Sequence, residues 1–405
     1  MTRRVVVTGM GIVSCLGNRL DDVATALCEG RGGIRHMPKY AELGMRSHLA
    51  GVPLVDGVAP IERRFRRFMG PAAYHAYVAM RAAIEDSGLS EATVRHPRTG
   101  LVAGSGVGSP FNHHLAMETA RTSGAHKVSP YTVPQVMGST VSAVLATAFG
   151  ITGVSYSITS ACATSAHCLG NAMELIRSGK QDVMFAGGAE ELEWTTALPF
   201  DAMGALSSAF NNTPEAASRP YDRFRDGFVI AGGGGMVVLE ELGHAQRRGA
   251  RLYAELAGYG ATSDGLDMLT PSRDGAARAM RQALASSSNS PDYINTHATS
   301  TPVGDLVEVE AMEDVFKQGL PPFSSTKGLT GHPIGAAGIH EAIYTLLMMR
   351  DGFIAGSPTL DDPDPSLSDL PLVRSTRQQH INSAMSNSFG FGGTNASLLF
   401  SRLST

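Results

Sequence analysis

Strand-like runs alternate with helix-like runs along the whole of this chain, and this order restricts the folds it can adopt. Residues 5–9 predict a strand, residues 21–27 predict a helix, and the strand-like residues 182–186 follow a helix-like run. Such alternation is typical of largely parallel sheets with helices packed on both faces. Because single hydrophobic cores stop growing near ~250–300 residues, the 405 residues predict an α/β protein with more than one core. Only residues 286–290 and 361–371 resemble flexible loops.

The two halves of the chain carry a weak internal repeat. Residues 234–240 resemble residues 393–399, and each half contains a strand, a loop with a reactive side chain and a helix. Self-similarity of this kind indicates a duplicated unit. Residues 247–250 have the composition of a boundary. We therefore predict an N-terminal half, residues 1–248, and a C-terminal half, residues 249–405.

A cysteine lies at the junction between a predicted strand and a predicted helix. The pentad Ser-Ala-Cys-Ala-Thr at residues 160–164 separates the strand-like residues 154–159 from the helix-like residues 166–176. Cys162 is thus expected where a helix begins, and the free N–H groups and positive dipole end there favour a thiolate. Its alanine neighbours leave room for a substrate. A buried structural cysteine is the alternative, since free cysteines are usually buried, and the local pattern does not decide between the two.

Two later loops carry histidines after extended runs. His297 follows the strand-like residues 293–296, whereas Lys327 and His332 lie in a loop of small residues before the helix-like residues 336–349. A single histidine is more often structural than catalytic. Two histidines and a lysine in strand-end loops, together with a cysteine at a helix start, indicate a reactive site. No Cys/His pair has the spacing of a metal site, so no metal is expected.

The composition argues against several classes of protein. A net charge of −4 gives no reason to expect a nucleic-acid partner. No apolar run reaches the ~20 residues that span a bilayer, and the N-terminal residues lack a signal-peptide pattern. Four cysteines in so long a chain do not form a disulfide framework. We therefore expect a protein of the reducing cytoplasm without a membrane partner.

A glycine-rich segment after the first strand is similar to a dinucleotide-binding fingerprint. It spans residues 9–14 and reads GMGIVS. The fingerprint has three glycines, and Ser14 stands at the position of the third. No acidic residue ends a second strand about 20 residues later. We therefore expect a tight turn with close backbone packing, and no cofactor.

Five motifs carry a resemblance to a known family. They begin at residues 8, 160, 200, 225 and 387 and read TGMGIVS, SACAT, FDAMGAL, RDGFVIAG and NSFGFGGT. From Val5 to Leu399 the chain resembles the β-ketoacyl-[acyl-carrier-protein] synthases of the thiolase superfamily, most closely the type I group of bacterial fatty acid synthesis. The resemblance implies an α/β thiolase-like fold, in which two pseudo-equivalent halves form five α/β/α/β/α layers with the site between them.

The resemblance implies an acyltransferase that elongates an acyl chain by decarboxylative Claisen condensation. Cys162 would take the acyl group from an acyl-carrier protein, and a malonyl-carrier protein would then lose CO₂ to give the attacking enolate. His297 and His332 would donate through Nε2 to the oxygen that becomes negative. The backbone N–H groups of Cys162 and Phe391 would surround the oxygen of the acyl-cysteine.

The resemblance also assigns supporting residues. Lys327 would hold the electrostatics of the His332 loop in a network with Glu308, for which a solvent-exposed helix face is the alternative. Phe391 would be a gate that moves when the acyl chain enters. Thr299 and Thr301 would grip the pantetheine amides, although ordinary strand-end threonines are the alternative. Phe200 would line the pocket of the acyl chain, although a core phenylalanine is the alternative. Phe389 and Val107 would also bind substrate.

The densest basic run of the chain, residues 63–67, reads RRFRR. Charge runs are usually solvated faces, but carrier proteins are acidic, and a basic patch would steer their association more than set affinity. The resemblance implies a homodimer whose substrates arrive on the phosphopantetheine of the acyl-carrier protein, without a cofactor of its own. It places five residues in the docking patch: Arg46, Arg63, Arg64, Arg67 and Lys127.

Three positions depart from the type I pattern. Ala298 replaces the usual glycine after the first histidine, Val107 stands where relatives carry glycine, and Pro333 directly follows His332. These departures leave the preferred acyl chain open and indicate a specialised paralogue. A condensing enzyme of a polyketide or polyene pathway and a non-catalytic partner subunit are the alternative functions. The presence of the cysteine and both histidines disfavours the second.

Overall fold

The computed structural model describes residues 3–55, 57–285 and 290–403. Its strands are β1 (Val5–Val13), β2 (Ile34–His36), β3 (Leu49–Gly51), β4 (Thr99–Gly104), β5 (Ser155–Tyr156), β6 (Val183–Glu190), β7 (Ile230–Ala231), β8 (Gly233–Glu241), β9 (Ala254–Ser263), β10 (Tyr293–Asn295), β11 (Phe323–Ser324), β12 (Phe353–Ile354), β13 (Arg377–Gln378), β14 (Ser383–Gly390) and β15 (Thr394–Ser401).

Its helices are α1 (Leu20–Glu29), α2 (Pro38–Glu42), α3 (Arg63–Arg66), α4 (Pro71–Ser87), α5 (Glu91–Val94), α6 (Pro110–Ser123), α7 (Thr132–Val136), α8 (Thr140–Phe149), α9 (Thr164–Arg177), α10 (Trp194–Met203), α11 (Leu242–Arg247), α12 (Arg273–Leu284), α13 (Gly304–Val315), α14 (Lys327–Thr330) and α15 (Ala337–Asp351). Short 3₁₀ turns occur at Ala125–Lys127, Ala161–Ala163, Pro214–Ala216, Ile334–Ala336 and Pro365–Leu367.

Ten strands form the main sheet, in the order β11-β10-β14-β15-β9-β1-β8-β6-β4-β5. The pairs at both flanks are parallel, and the five central pairs are antiparallel. Five strands come from residues 5–241 and five from residues 254–401. Among the residues that the structure describes, the two sets pair with each other only where Val6 and Val7 meet β9. The prediction of largely parallel sheets is therefore wrong for the centre, because hydrophobic patterns do not encode strand direction.

Helices separate and cover the two five-stranded parts of the sheet. Helix α4 packs on β1 and β8, and α12 packs on β9 and β15. Between the two parts, α9 packs on β6, α15 packs on β14, and α9 and α15 touch each other. This gives five alternating layers of helix and strand, with the two central helices buried in the middle layer. No helix in the described residues is long and apolar enough to cross a membrane.

The two central helices pack closely because small residues face each other. All of α15 is buried except its last two residues, as expected for a helix whose residues are mostly apolar. A Cβ atom on Gly338 would lie 2.7 Å from the backbone nitrogen of Ala166 in α9. Any larger residue at position 338 would therefore push the helices apart and widen the site that they carry.

Some local predictions differ from the structure. The strand expected over residues 154–159 shrinks to β5, two exposed residues at the edge of the sheet. The glycines of the 9–14 segment lie in or beside the extended strand β1, so the predicted turn is wrong. Their close packing is present, since a Cβ on Gly11 would lie 2.0 Å from a backbone oxygen of α4. Residues 361–371 include a short 3₁₀ turn, and residues 286–289 lie outside the described residues.

Candidate active site

Cys162 lies in a 3₁₀ turn that leads directly into helix α9. The turn spans Ala161–Ala163, and the α-helix begins at Thr164. Ala161 has a φ of 47°, a left-handed conformation that a β-branched or bulky side chain would make more costly. The hydroxyl of Thr164 accepts a hydrogen bond from the Ser160 N–H at 2.8 Å and closes the turn. The local sequence of small residues thus aims Cys162 into the space between the two halves.

The Cys162 thiol is buried beside a histidine. Cys162 is only 9% exposed. Its Sγ lies 2.9 Å from Nε2 of His332. Burial raises the pKa of Cys162 to about 12, against the lowering effects of the Lys327 charge and the Phe391 backbone N–H. The sequence argument that a helix start favours a thiolate therefore does not describe the resting state. Desolvation outweighs it, and the resting group is a thiol.

Both histidines predicted from the sequence face the cysteine. The rings of His297 and His332 are 5.2 Å apart between centroids and nearly perpendicular, at 85°. Burial, and then the charge of Lys327, hold the pKa of both rings well below the usual value. Both rings are therefore neutral at physiological pH. A neutral imidazole carries one N–H, which it can donate to an oxygen that becomes negative.

The segment around Phe228 fixes His332. The His332 N–H donates to the Val229 carbonyl at 2.7 Å, and the His332 carbonyl accepts from the Ala231 N–H at 3.0 Å. The Phe228 ring meets the imidazole edge-on, with 5.4 Å between centroids. The motif that begins at Arg225, noticed in the sequence without a role, therefore supports the second histidine.

Lys327 has a different partner from the one that the sequence suggested. Its Nζ forms a buried ion pair with Glu341 of helix α15. The Glu308 carboxylate instead accepts from the N–H groups of His297 and Ala298 at 2.9 and 2.8 Å. The network between Lys327 and Glu308 is thus electrostatic: burial raises the pKa of Glu308 to about 7, and the Lys327 charge opposes this rise.

Glu308 and Glu341 are both buried, which corrects the solvent-exposed alternative for Glu308. The side chain of Asn387 adds a third donor to Glu308, at 3.1 Å. The sequence reasoning missed Glu341 and Asn387. A glutamate inside an otherwise apolar helix-like run was a usable signal for Glu341, because such a residue is rarely buried without a partner.

The three reacting groups lie at a cavity of about 420 Å³ between the two halves. Of the residues predicted to bind substrate, Val107 does not line this cavity and is 40% exposed. Lys327 lies behind the cavity wall and is not part of the lining. The predicted residues that do line the cavity are Cys162, Phe200, His297, Thr299, Thr301, Glu308, His332, Phe389 and Phe391.

The loop with Thr299 and Thr301 is held by buried charges. The two hydroxyl oxygens are 3.2 Å apart. The Asp305 carboxylate accepts from the Ser300 and Thr301 N–H groups at 3.1 and 3.2 Å, and Arg225 donates to the Thr301 carbonyl at 3.0 Å. The sequence analysis did not assign these roles to Arg225 and Asp305. They fix the backbone of the loop that places both threonines in the cavity lining.

Phe391 lies at the edge of the cavity. It is 37% exposed, and its ring stacks on that of Phe200 at 27° with 6.4 Å between centroids. A Cβ on Gly390 would lie 3.0 Å from the Cys162 backbone nitrogen. The glycine therefore allows the Phe391 loop to approach the cysteine, so that the backbone N–H group of Phe391 lies near the sulfur.

The basic residues predicted to dock a partner are all exposed. Arg63 and Arg64 lie in α3, and Arg64 pairs with Glu62 at 2.8 Å. The Arg67 guanidinium lies 5.2 Å from the ring centroid of Tyr131. The other two lie on separate segments: Arg46 beside Asp201 of α10, and Lys127 in the Ala125–Lys127 turn. Their use in docking stays a prediction.

Comparisons with known proteins agree along the whole chain. The family described as beta-ketoacyl synthase, N-terminal domain, matches residues 2–245, and the beta-ketoacyl synthase C-terminal domain matches residues 253–361. The 3-oxoacyl-[acyl-carrier-protein] synthase 1 of Haemophilus influenzae is 54% identical over 402 residues, which are 99% of each chain.

Solved structures give the same result. A beta-ketoacyl synthase from Burkholderia phymatum superposes with a TM-score of 0.93 at 36% identity, over 99% of this chain and all of that one. A type II polyketide ketosynthase, solved with its acyl-carrier protein and bound to the hexaketide, has a TM-score of 0.88 at 28% identity, over the whole of both chains. The similarity thus covers both halves of the fold and the cavity between them.

Proposed function

The chain belongs to the β-ketoacyl synthases, and we propose that it elongates acyl chains by decarboxylative Claisen condensation in fatty acid biosynthesis. One observation carries this proposal. A cysteine sulfur and ring nitrogens of two neutral histidines lie within 4.8 Å of one another at a cavity of largely apolar lining. This arrangement offers a nucleophile and two donors in the same small volume.

In the first half-reaction the Cys162 sulfur attacks the carbonyl carbon of an acyl thioester. The new S–C bond replaces the bond to the carrier's pantetheine sulfur, and that sulfur leaves with the proton that the thiol loses. The Nε2–H of His332, 2.9 Å from Sγ, stabilises negative charge on the sulfur as the proton departs. The backbone N–H groups of Cys162 and Phe391 receive the oxyanion of the tetrahedral intermediate.

In the second half-reaction a malonyl thioester loses CO₂, and the electron pair of the broken C–C bond forms an enolate. Its oxygen accepts from Nε2–H groups of His297 and His332, which remain neutral because burial and Lys327 disfavour the imidazolium. The enolate carbon then attacks the acyl carbon. The S–C bond to Cys162 breaks, and the sulfur takes up a proton.

Substrate delivery rests on the rest of the site. Thr299 and Thr301 bind the pantetheine amides, and the acyl chain passes Phe391 into a pocket with Phe200 and Phe389. Both substrates arrive on an acyl-carrier protein, which docks on the exposed arginines near α3, and the enzyme needs no cofactor of its own. The structurally similar polyketide ketosynthase, solved with an acyl-carrier protein, supports this partner. The working compartment is the cytoplasm.

The enzyme acts as a homodimer. Strand β5 ends the main sheet and is exposed, and α6 and α7 expose large apolar side chains, of which Leu115 is 52%, Met117 58% and Val133 70% exposed. A second copy would cover this face, as large exposed apolar patches mark interaction sites. Val107 lies on the loop before α6, so its part in the acyl pocket depends on this covered face.

The experiment is a reconstituted condensation followed by mass spectrometry. The protein is mixed with acyl-carrier protein charged with acyl chains of increasing length, and then with malonyl-carrier protein. We expect an acyl adduct on Cys162 and a carrier-bound product two carbons longer. Neither an adduct on Cys162 nor an elongated product would point to the non-catalytic or regulatory alternative. Turnover only with polyketide starters would favour the polyketide or polyene alternative, to which the 54% identity with a fatty acid enzyme gives less support.

A further inference from the structure

Cys162, His297 and His332 also form a candidate metal site. One ligand atom from each of them lies within 4.8 Å of the other two. We propose that this trio captures Zn²⁺ reversibly and that the bound ion blocks the nucleophile. The inference goes beyond condensation and rests on geometry and donor chemistry alone. It does not make zinc a cofactor of the reaction.

The donor set suits zinc. Thiolate sulfur and imidazole nitrogen are its preferred ligands, and many zinc sites use three protein ligands and leave the fourth position to water. Bond lengths of about 2.3 Å to sulfur and about 2.0–2.1 Å to nitrogen place tetrahedral ligands about 3.3–3.6 Å apart. The Cys162 sulfur and His332 Nε2 are 2.9 Å apart. These two atoms therefore need to separate by only about 0.4–0.7 Å to admit the ion, and a ring nitrogen of His297, within 4.8 Å of both, completes the trio.

Capture of the ion releases one proton. Zinc binds neutral imidazole and thiolate. The thiol must lose its proton: Cys–SH and Zn²⁺ give the zinc thiolate and one H⁺, which passes to solvent. No oxidant or second reactant is needed. Proton release makes the affinity rise with pH.

The surrounding charges permit a cation. Lys327 is the positive group that opposes it, but this ammonium is already paired with Glu341. Two more buried carboxyls act on the site: Glu308 behind His297, and Glu190, whose charge acts on Cys162. A negative charge on either carboxylate attracts the incoming cation.

The site lacks the outer support of a dedicated zinc centre. A histidine that binds zinc usually donates the N–H of its other ring nitrogen to a carboxylate or carbonyl. In the described residues, Nδ1 of His297 and of His332 has no hydrogen-bond partner. Loss of such support costs about 10- to 100-fold in affinity. We therefore infer reversible, inhibitory binding that a chelator removes, and that an acyl group on Cys162 prevents.

Cobalt(II) is the probe, because it binds at zinc sites and a thiolate bound to it gives an absorption band in the near ultraviolet. The chelator-treated protein is titrated with Co²⁺ and then with Zn²⁺. We expect a thiolate-to-cobalt band that saturates at one ion per chain, release of one proton, and loss of the band when Zn²⁺ displaces Co²⁺. Cys162→Ala should abolish the band, and His297→Ala should weaken binding at least about tenfold.

Two controls keep the test decisive. Cys28→Ser alters the half-buried cysteine outside the site and should leave the band unchanged. Wild-type protein acylated on Cys162 should show no band, which tests the site without any substitution that could affect folding. Absence of the band in the wild type, its survival after acylation, or its loss in Cys28→Ser would overturn the proposal. None of these results depends on whether the protein condenses malonyl and acyl thioesters.

Discussion

Lys327 and Glu341 form an ion pair that is buried almost completely, with 1% and 3% of their side chains exposed. The pair joins the loop that carries His332 to helix α15, which lies between the two parts of the sheet. The charge of Lys327 also acts on Cys162 and on both histidines, and it lowers the pKa of all three groups. One lysine thus favours a thiolate and neutral imidazoles at the same time.

Removing one partner of this pair should destabilise the fold strongly. Glu341→Gln leaves the Lys327 ammonium buried without its counter-charge, a change that typically costs about 3–5 kcal/mol. Urea unfolding should show this loss in the free energy of unfolding. The double variant Lys327→Met/Glu341→Leu should recover most of it, since both charges are gone. Glu118→Gln, which breaks an exposed pair with Arg121, is the control and should change little. Equal losses in the two glutamate variants would contradict the account.

The reactivity of Cys162 should depend steeply on pH. Because burial raises its pKa to about 12, only a small fraction is thiolate near neutrality, and the thiolate is the reactive form. The folded protein is alkylated, and the modified peptide that contains Cys162 is quantified by mass spectrometry. The alkylation rate of Cys162 should increase by about tenfold per pH unit from about pH 6 to about pH 9. Lys327→Met should slow it at every pH, since the lysine charge favours the thiolate. A rate that is level over this range would mean that the resting group is already a thiolate.

The sequence predicted the reacting trio because each member follows a strand or begins a helix in an α/β pattern. In such folds these positions meet between the halves, and Cys162, His297 and His332 do so. Phe391 was placed by the family motif. The partner of Lys327 was not predicted, because Glu341 reaches it only through the packing of α15 between the two parts of the sheet. The local sequence pattern around either residue does not indicate that contact.

Three further differences have physical causes. Five central strand pairs are antiparallel, but a buried strand has the same apolar sequence in either direction. Burial was underestimated at Cys162, where the helix start suggested a thiolate and desolvation prevails. Arg225 was in a recognised motif, yet its hold on the Thr301 loop depends on contacts 76 residues apart in the chain.

Charge reversal in the basic run should weaken docking without harming chemistry. Arg64 is exposed in α3 and is not among the residues that line the cavity. Arg64→Glu should therefore raise KM for the carrier protein and reduce its salt dependence, with kcat largely kept. Arg377→Glu, an exposed arginine on β13, is the matched control and should leave both constants unchanged. A fall in kcat at constant KM, or an equal effect in the control, would remove Arg64 from the docking surface.

The two half-reactions give the most direct test of the central claim, that Cys162 forms the bond and the histidines stabilise the enolate. Acyl transfer to the protein and CO₂ release from malonyl-carrier protein are measured side by side. Cys162→Ala should abolish acyl transfer and keep decarboxylation. His297→Ala should keep partial acyl transfer and lower decarboxylation by ~10²–10³-fold, as when one oxyanion donor is lost. Condensation by Cys162→Ala, or decarboxylation by His297→Ala at the wild-type rate, would contradict the account.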